Sequence, residues 1–482
     1  MLILKGKDVI SADRKKIKSG TSGWVLIRRA GAALASFLTT LDAKKILFVT
    51  GRGNNGADGV VAAGALGKNI EKKIVCLFSR KEVNDNYLRA AKVVSGEIIY
   101  APNALRLKKS VREADCVVDC IFGTGFHGRV SGFLGEAIRI INDAGTSVVS
   151  CDVPSGIDSD TGEYDCAVKA RFTVTFGFPK LGLFLNPARN FAGSVRAVDI
   201  GLKKPRLKTS LNMITAGEIR KNIPERGIKS HKYTSGHVLI FAGKMKGAAR
   251  LVALGALRAG CGLITFVTDD KINMPEAIEI NYGADLKKYI KEKKVKAVVF
   301  GPGLGRDLTE EKRNVLKVLS KTAVPKVIDA DGIFIVKKAG FEGKLKNCVF
   351  TPHTGEAKIL TSSALDPPGV WKTAQRLARK LNSVIVLKGH QTVISDGEKV
   401  WINPSGNPVL ATGGTGDALA GMTALFLAQG ARPLEAAKSA VHIHGLAADI
   451  FLKKKGDRGA LVTEIVSFVP RVMRKIIERK PV

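Results

Sequence analysis

The sequence predicts an α/β protein of two successive units, each built on a mainly parallel sheet covered by helices. Three observations predict it. Short β-branched runs alternate with helix-like stretches along the whole chain, the pattern of strand–helix–strand crossovers. Several runs end in a Gly-rich turn or a carboxylate, where ligands bind in open α/β sheets. The length of 482 residues also exceeds one ordinary domain.

Taken in order, the first strands are expected in "KKILFVT", "KKIVCLF", "DCVVDCIF", "TSVVSCDV", "FTVTFGF" and "VRAVDIG". A basic, polar stretch dotted with Pro and Gly follows. The boundary is placed near residues 203–212, giving units at 1–208 and 212–482. "ITAGEIRKNI" opens the second unit as a short helix, with Thr215 and Glu218 spaced as a capping box. Further strands are expected in "SGHVLIFAG", "GLITFVT", "KAVVFGPGLG", "PKVIDADG", "CVFTPH" and "SVIVLKG". A hairpin from "QTVISDG" to "KVWINPSG" then turns at Asp396-Gly397.

Composition narrows the function classes. The chain is 45% hydrophobic and 25% charged, and no apolar run approaches the ~20 residues of a membrane span. The start "MLILKGKDVI" shows neither an h-region nor a small-residue cleavage site, so the cytoplasm is the expected compartment and no membrane is expected. Seven cysteines without a CxxC pair are expected as reduced thiols, with Cys116, Cys120, Cys151 and Cys348 in strand-like runs. The net charge of +34 comes from 77 basic and 43 acidic residues. The lysines are dispersed and no RNP or zinc-finger signature accompanies them, which favours an anion-attracting surface over a nucleic-acid partner. His442 and His444 lie two apart on an expected helix, share no face, and are read as structural.

The first constellation starts at "KKILFVTGRGNNGADGVVAAGAL", a strand, a Gly-rich turn and a helix from about Ala57. That arrangement offers backbone N–H groups at a helix N-terminus to a phosphate. It is not a dinucleotide fingerprint, because the glycine offsets differ and no acidic residue closes "KKIVCLF". "VVDCIFGTGFHGRV" and "VVSCDVPSGIDSDTG" end two more strands. Asn55, Asp58, Asp119, Asp152 and Ser155 beyond three strand ends imply one polar site, and oxygen-only donors suit a hard cation rather than zinc.

"GRGNNGADG", "DCIFGTG", "DVPSGIDSDTG" and "TVTFGFPKLGL", with "LIRRAG" in the first helix, together resemble the epimerase domain of the NAD(P)H-hydrate repair enzymes over most of residues 1–205. The resemblance implies a Rossmann-like three-layer domain. It implies that Asn54, Asn55, Gly56, Ala57 and Asp58 hold the hydrated nicotinamide dinucleotide together with Gly123, Thr124, Gly125, Phe126, His127, Gly128 and Arg129. It further implies a potassium ion on Asn55, Asp119 and Ser155, with Asp152 contacting the substrate. Asp152 and Lys180 are the expected polar groups around the reacting carbon. Two features depart from the family: Ala57 stands where a glycine is usual, and the N-terminal segment is shorter and more basic.

The second constellation is "GKMKGAARL", "VVFGPGLGR", "VIDADG", "FTPHTGEAKIL", "VLKGHQTVI" and "NPVLATGGTGD". Backbone N–H groups of the "GGTGD" turn, ahead of a helix, make an anion hole for a terminal phosphate. Asp417 then lies within reach of a hydroxyl attacking that phosphate and can take its proton. The set resembles the ribokinase-like fold and, more narrowly, the ADP- or ATP-dependent NAD(P)H-hydrate dehydratases over about residues 212–475. Carried across, the resemblance implies substrate contacts at Ala248, Gly303, His353 and Asp417, the last also the catalytic carboxylate. It implies nucleotide contacts at Lys388, Gly389, His390, Gln391 and Thr392, at Asn407, and at Thr412, Gly413, Gly414, Thr415 and Gly416. Glu356 is the expected contact to a Mg2+ ion or its waters. Lys244 and Lys246 depart from the family's usual residues.

The expected function is repair of NADH or NADPH that has gained water across C5–C6 of the nicotinamide ring. The first unit would interconvert the R and S epimers at C6 of either hydrate (NADHX or NADPHX), and the second would expel the hydroxyl of the S epimer with ADP as co-substrate, giving AMP and phosphate. A homo-oligomer is the expected assembly. Two other classes stay open: a ribokinase-like kinase of a vitamin precursor, which shares the "GTGD" loop, and a basic nucleic-acid-binding scaffold with decayed sites.

Overall fold

In the computed structural model the chain divides into two compact units, Leu2–Lys208 and Thr209–Val482 together with Met1. The structure describes residues 1–94, 96–185, 187–205, 210–225, 227, 231–361 and 369–480, and part of the expected boundary at 203–212 lies outside them.

The first unit carries a seven-stranded sheet, ordered Ile98–Tyr100, Glu71–Cys76, Lys45–Thr50, Cys116–Cys120, Ser147–Cys151, Phe172–Phe176 and Ser194–Val198. All neighbours are parallel. The central strands are buried on both faces, which explains why they read as unbroken apolar runs. Ile46 and Phe48 point to one face, packing with helices Gly23–Leu38 and Asn54–Ala65. Leu47 and Val49 point to the other, packing with Ala104–Arg112 and Gly132–Asp143. From Lys45–Thr50 the chain runs outward to one edge, then returns to Cys116–Cys120 on the other side. A crevice opens at such a reversal, beyond the strand ends.

In the second unit the order is Leu211–Met213, Val400–Ile402, Val393–Ser395, Val384–Leu387, Cys348–Phe350, Lys326–Ile328, Ala297–Phe300, His237–Phe241, Leu263–Val267 and Ala277–Ile280. The strands from Val384–Leu387 to Ala277–Ile280 are parallel, and the expected hairpin is antiparallel. The helix Thr415–Ala428 is buried from Ala418 to Ala428, so it needs no polar face. It lies backbone to backbone with helix Lys246–Ala259. A Cβ on Gly421 would meet the Val252 carbonyl at 1.9 Å, and one on Gly255 the Ala418 carbonyl at 2.1 Å. That contact fixes where Asp417 stands.

Three sequence expectations are corrected. The helix after the first strand begins at Asn54, not Ala57: Gly53 is its extended N-cap and Ala57 N–H already donates to the Gly53 carbonyl at 3.1 Å. Strands Ile98–Tyr100, Leu211–Met213 and Ala277–Ile280 were not expected; they are short, and the last is half exposed. The capping box forms by half. The Thr215 hydroxyl accepts from Glu218 N–H at 3.3 Å, but the Glu218 carboxylate goes to Lys438 at 2.5 Å. Gly128 and Arg129 follow His127 as exposed residues. Cys116, Cys120, Cys151 and Cys348 are buried thiols. Among the described residues no helix is long and apolar enough to cross a membrane.

Candidate active sites

Beyond the strand ends of the first unit lies a cavity of about 710 Å³. Of the residues named from sequence, Asn54, Asn55, Asp58, Gly123, Thr124, Gly125, Phe126, His127, Asp152 and Lys180 line it. Gly56 and Ala57 are buried behind it in the helix, where a Cβ on Gly56 would meet the Gly51 carbonyl at 2.1 Å. Ala57 takes a helical conformation and carries no strain.

Asp152 and Lys180 form the polar wall. The ammonium of Lys180, 1% exposed, donates to Asp152 at 2.5 Å, to the Thr175 hydroxyl at 3.1 Å and to the Phe176 carbonyl at 2.8 Å. Thr124 donates its N–H to the other Asp152 oxygen at 3.1 Å, and its hydroxyl bonds the same oxygen. Burial alone would push the Asp152 carboxyl up; the adjacent Lys180 charge and these donors hold it below the usual range. Asp152 follows its strand at φ +68, a left-handed conformation costly to a residue with a side chain.

Asp119 and Ser155 are buried behind the residues that line the cavity. Asp119 is fully buried and accepts from Ser150 Oγ at 2.8 Å, Ser155 N–H at 2.8 Å and Ser155 Oγ at 2.5 Å. Asn55 donates its amide to the Phe122 carbonyl at 2.9 Å, which leaves Asn55 Oδ1 enclosed and unpartnered. An orphan oxygen beside a buried carboxylate and a hydroxyl suits a hard cation.

Sequence reasoning missed Asp13, Arg52 and Phe78, which also line the cavity. Arg52 stood inside the quoted glycine loop and could have been named. Asp13 lies on a Lys-rich helix that carries no motif.

In the second unit the strand ends converge on Lys388. Its ammonium bonds the 1%-exposed Asp329 at 2.7 Å. A Cβ on Gly416 would stand 3.1 Å from that ammonium, so the "GGTGD" turn lies directly against the pair. Gly414 caps the helix at φ +90, and Asp417 falls in its first turn. Burial raises the Asp417 carboxyl to about 7; the Asp329 charge adds to this and Lys388 opposes it. Glu356 is buried, accepts from His353 N–H at 2.7 Å and is pushed up chiefly by that burial. Ala330, between Asp329 and Asp331, lies at φ +47. The two carboxylates diverge: Asp329 meets Lys388, while Asp331 accepts from Gly305 N–H at 2.9 Å and so ties the "GPGLG" loop to this strand end.

The other predicted positions fall around this centre. A Cβ on Gly303 would meet Ala248 Cβ at 3.0 Å, so those two are neighbours. Gly389, His390 and Gly413 are exposed, and Thr392 is half-buried. Gln391 is buried with both amide atoms unpartnered. The Thr415 hydroxyl donates to the Leu410 and Thr412 carbonyls at 2.9 Å, shaping the loop internally, and the Thr412 hydroxyl reaches the Val409 carbonyl at 3.0 Å. Asn407 commits its amide to Asp449 at 2.9 Å. His442 and His444 are buried and pushed down to about 4, His442 bonding Asn403 at 3.1 Å; both are interior histidines.

Known proteins are similar to this chain. A family model described as NAD(P)H-hydrate dehydratase matches residues 238–471, and one described as YjeF-related protein N-terminus matches residues 23–182. A bifunctional NAD(P)H-hydrate repair enzyme Nnr of Moorella thermoacetica is 33% identical over 90% of this chain and 88% of its own. That of Thermofilum pendens is 31% identical over 99% and 97%. A ribokinase-like superfamily protein of Enterococcus faecalis is 30% identical with a TM-score of 0.50, covering 57% of this chain and 99% of its own. An ADP/ATP-dependent NAD(P)H-hydrate dehydratase of Bacillus subtilis, co-crystallised with ATP and Mg2+, is 30% identical over 55% and 98%, with a TM-score of 0.48. The chain belongs to the family of bifunctional NAD(P)H-hydrate repair enzymes.

Proposed function

We propose that the first unit equilibrates the two C6 epimers of hydrated NADH or NADPH, and that the second dehydrates one of them at the expense of a nucleotide, ADP being the proposed donor. The observation that carries the reading is Asp417, in the first turn of a buried helix behind a left-handed glycine and facing the Lys388–Asp329 pair.

Hydroxide leaves poorly, so the C6 oxygen must first be converted. Asp417 takes the hydroxyl proton as that oxygen attacks the terminal phosphorus of the nucleotide. First-turn N–H groups and Lys388 hold the charge developing on the transferred group. The phosphate then departs from C6 as the ring nitrogen supplies its electron pair, and loss of a C5 proton restores the double bond. A Mg2+ ion would be held by carboxylates such as Glu356 and Asp329 together with the nucleotide phosphates, and would neutralise phosphoryl charge. Asp329 and Glu356 are buried oxygen donors, which suits a hard cation that also binds phosphates.

In the first unit, Asp152 and Lys180 flank C6, and a potassium ion on Asn55, Asp119 and Ser155 would order the loops that carry the cavity wall.

The test is to incubate the chain with both epimers and ADP and follow the recovery of NADH absorbance. Asp417→Asn is expected to lose at least ~100-fold of the dehydration rate while epimerisation continues. Near-normal dehydration in that variant, with nucleotide still consumed, would sink the assignment.

A further inference from the structure

The helix Gly6–Lys18 turns a stripe of Val9, Asp13 and Ile17, spaced i, i+4 and i+8, onto the epimerase cavity. Two of the three are apolar, and the third is a carboxyl whose Oδ1 is enclosed with no hydrogen-bond partner. Such a group costs stability unless something else requires it. Its position is fixed. Leu4 N–H donates to the Pro179 carbonyl at 3.0 Å, and Leu181 N–H donates to the Leu4 carbonyl at 2.7 Å, so the helix is stitched to the segment that carries Lys180. Gly6 packs so closely that a Cβ there would stand 1.9 Å from Ser159 Oγ.

We propose that Asp13 is a second catalytic carboxyl of the epimerase site, the group that exchanges a proton with the oxygen on C6. The proposal rests on the epimerase reading given above. Asp13 donates its proton to the C6 hydroxyl; the C6–O bond breaks, water forms, and the N1 electron pair makes an N1=C6 iminium. Water then adds to the opposite face, the C6–O bond forms and the electron pair returns to N1. The proton released by the added water returns to the Asp13 carboxylate, directly or through the water that departed. One water leaves, one enters, and Asp13 is regenerated. Asp152 stays ionised against Lys180 and faces the cation, a fixed charge rather than a proton carrier.

The environment suits the role. Burial, with Lys180 opposing and Asp152 adding, raises the Asp13 carboxyl to about 6, whereas Asp152 is held low. The other charged or titratable groups lining the cavity are Asp58, Arg52 and His127.

The experiment uses the full chain without nucleotide, a single purified epimer of hydrated NADH, and chromatographic separation of the two epimers with time. Asp13→Asn is expected to slow equilibration at least ~100-fold while dehydration of the accepted epimer, with ADP added, is unchanged. Wild-type kcat/KM is expected to fall as pH rises above about 6, where the acid form is lost. Asp13→Glu should restore part of the rate, together with a limb of the pH profile that Asp13→Asn lacks. An Asp13→Asn rate within threefold of wild type, or the same limb retained in Asp13→Asn, overturns the proposal. Should Asp13→Asn fail to fold, a wild-type profile without that limb overturns it instead. A wild-type chain that leaves the epimers unequilibrated removes the epimerase reading itself, an outcome distinct from the others.

Discussion

Replacing Asp417 by Asn should stabilise the second unit while it disables dehydration. The carboxyl is held at about 7 rather than at its ordinary 3.8. At 1.36 kcal/mol for each pH unit, that difference is worth about 4 kcal/mol. The sign follows from linkage. Below 3.8 the carboxyl is protonated whether the chain is folded or not, and no cost arises. As pH climbs from 3.8 to about 7 the unfolded carboxyl ionises while the folded one keeps its proton, so the native state loses ground. Above about 7 both are ionised and the loss is constant. Asparagine keeps the size and polarity without the charge but forfeits any bond made by the acid form, so about half of the total, ~2 kcal/mol, is the expected gain. The assay is hydrogen exchange of the buried amides of Thr415–Ala428 without nucleotide, which reports this unit alone. Protection should exceed wild type at pH 8, match it at about pH 5 and fall below it near pH 4, where the folded acid form still keeps its bond. A gain of equal size at pH 8 and pH 4, or none at pH 8, would refute the reasoning.

Two further outcomes follow from the first unit. Lys180→Met strands the buried Asp152 carboxylate and should cost ~3–5 kcal/mol of stability, with epimerisation lost and dehydration of the accepted epimer retained; thermal unfolding and the separated assays check both. Exchanging potassium for tetramethylammonium should slow epimerisation by wild type, and Asn55→Leu should need at least ~10-fold more potassium for the same rate; a potassium titration unaffected by the substitution would remove Asn55 from the ion.

Much of this was legible in the sequence, and the reasons are physical. Strands buried on both faces show as apolar runs, so Lys45–Thr50 or His237–Phe241 could hardly be missed. Ala277–Ile280 covers only part of its surface and leaves no such trace. The start of helix Asn54–Ala65 was hidden because Gly and Asn favour turns in isolation. Here Asn54 and Asn55 spend their side chains on Asn84, Asn86 and the Phe122 carbonyl, which leaves the backbone helical. Asp329 was visible as a strand-end carboxylate, but its pairing with Lys388 joins positions 59 residues apart and no local pattern records it. Asp13 was illegible for a different reason: in one dimension it is an acid in a basic helix, and only packing shows which side it faces.

The left-handed residues Asp152 and Ala330 set different limits on how each half can be improved. Each holds a conformation worth ~1–3 kcal/mol of strain, and glycine would release it. At position 330 glycine leaves every carboxylate in place, so selection for heat resistance can accept the change without harm to chemistry. At position 152 the same change deletes the anion and strands the buried Lys180 ammonium, a cost of ~3–5 kcal/mol that outweighs the strain released. A library screened on melting temperature alone would therefore enrich glycine at position 330 and reject it at position 152.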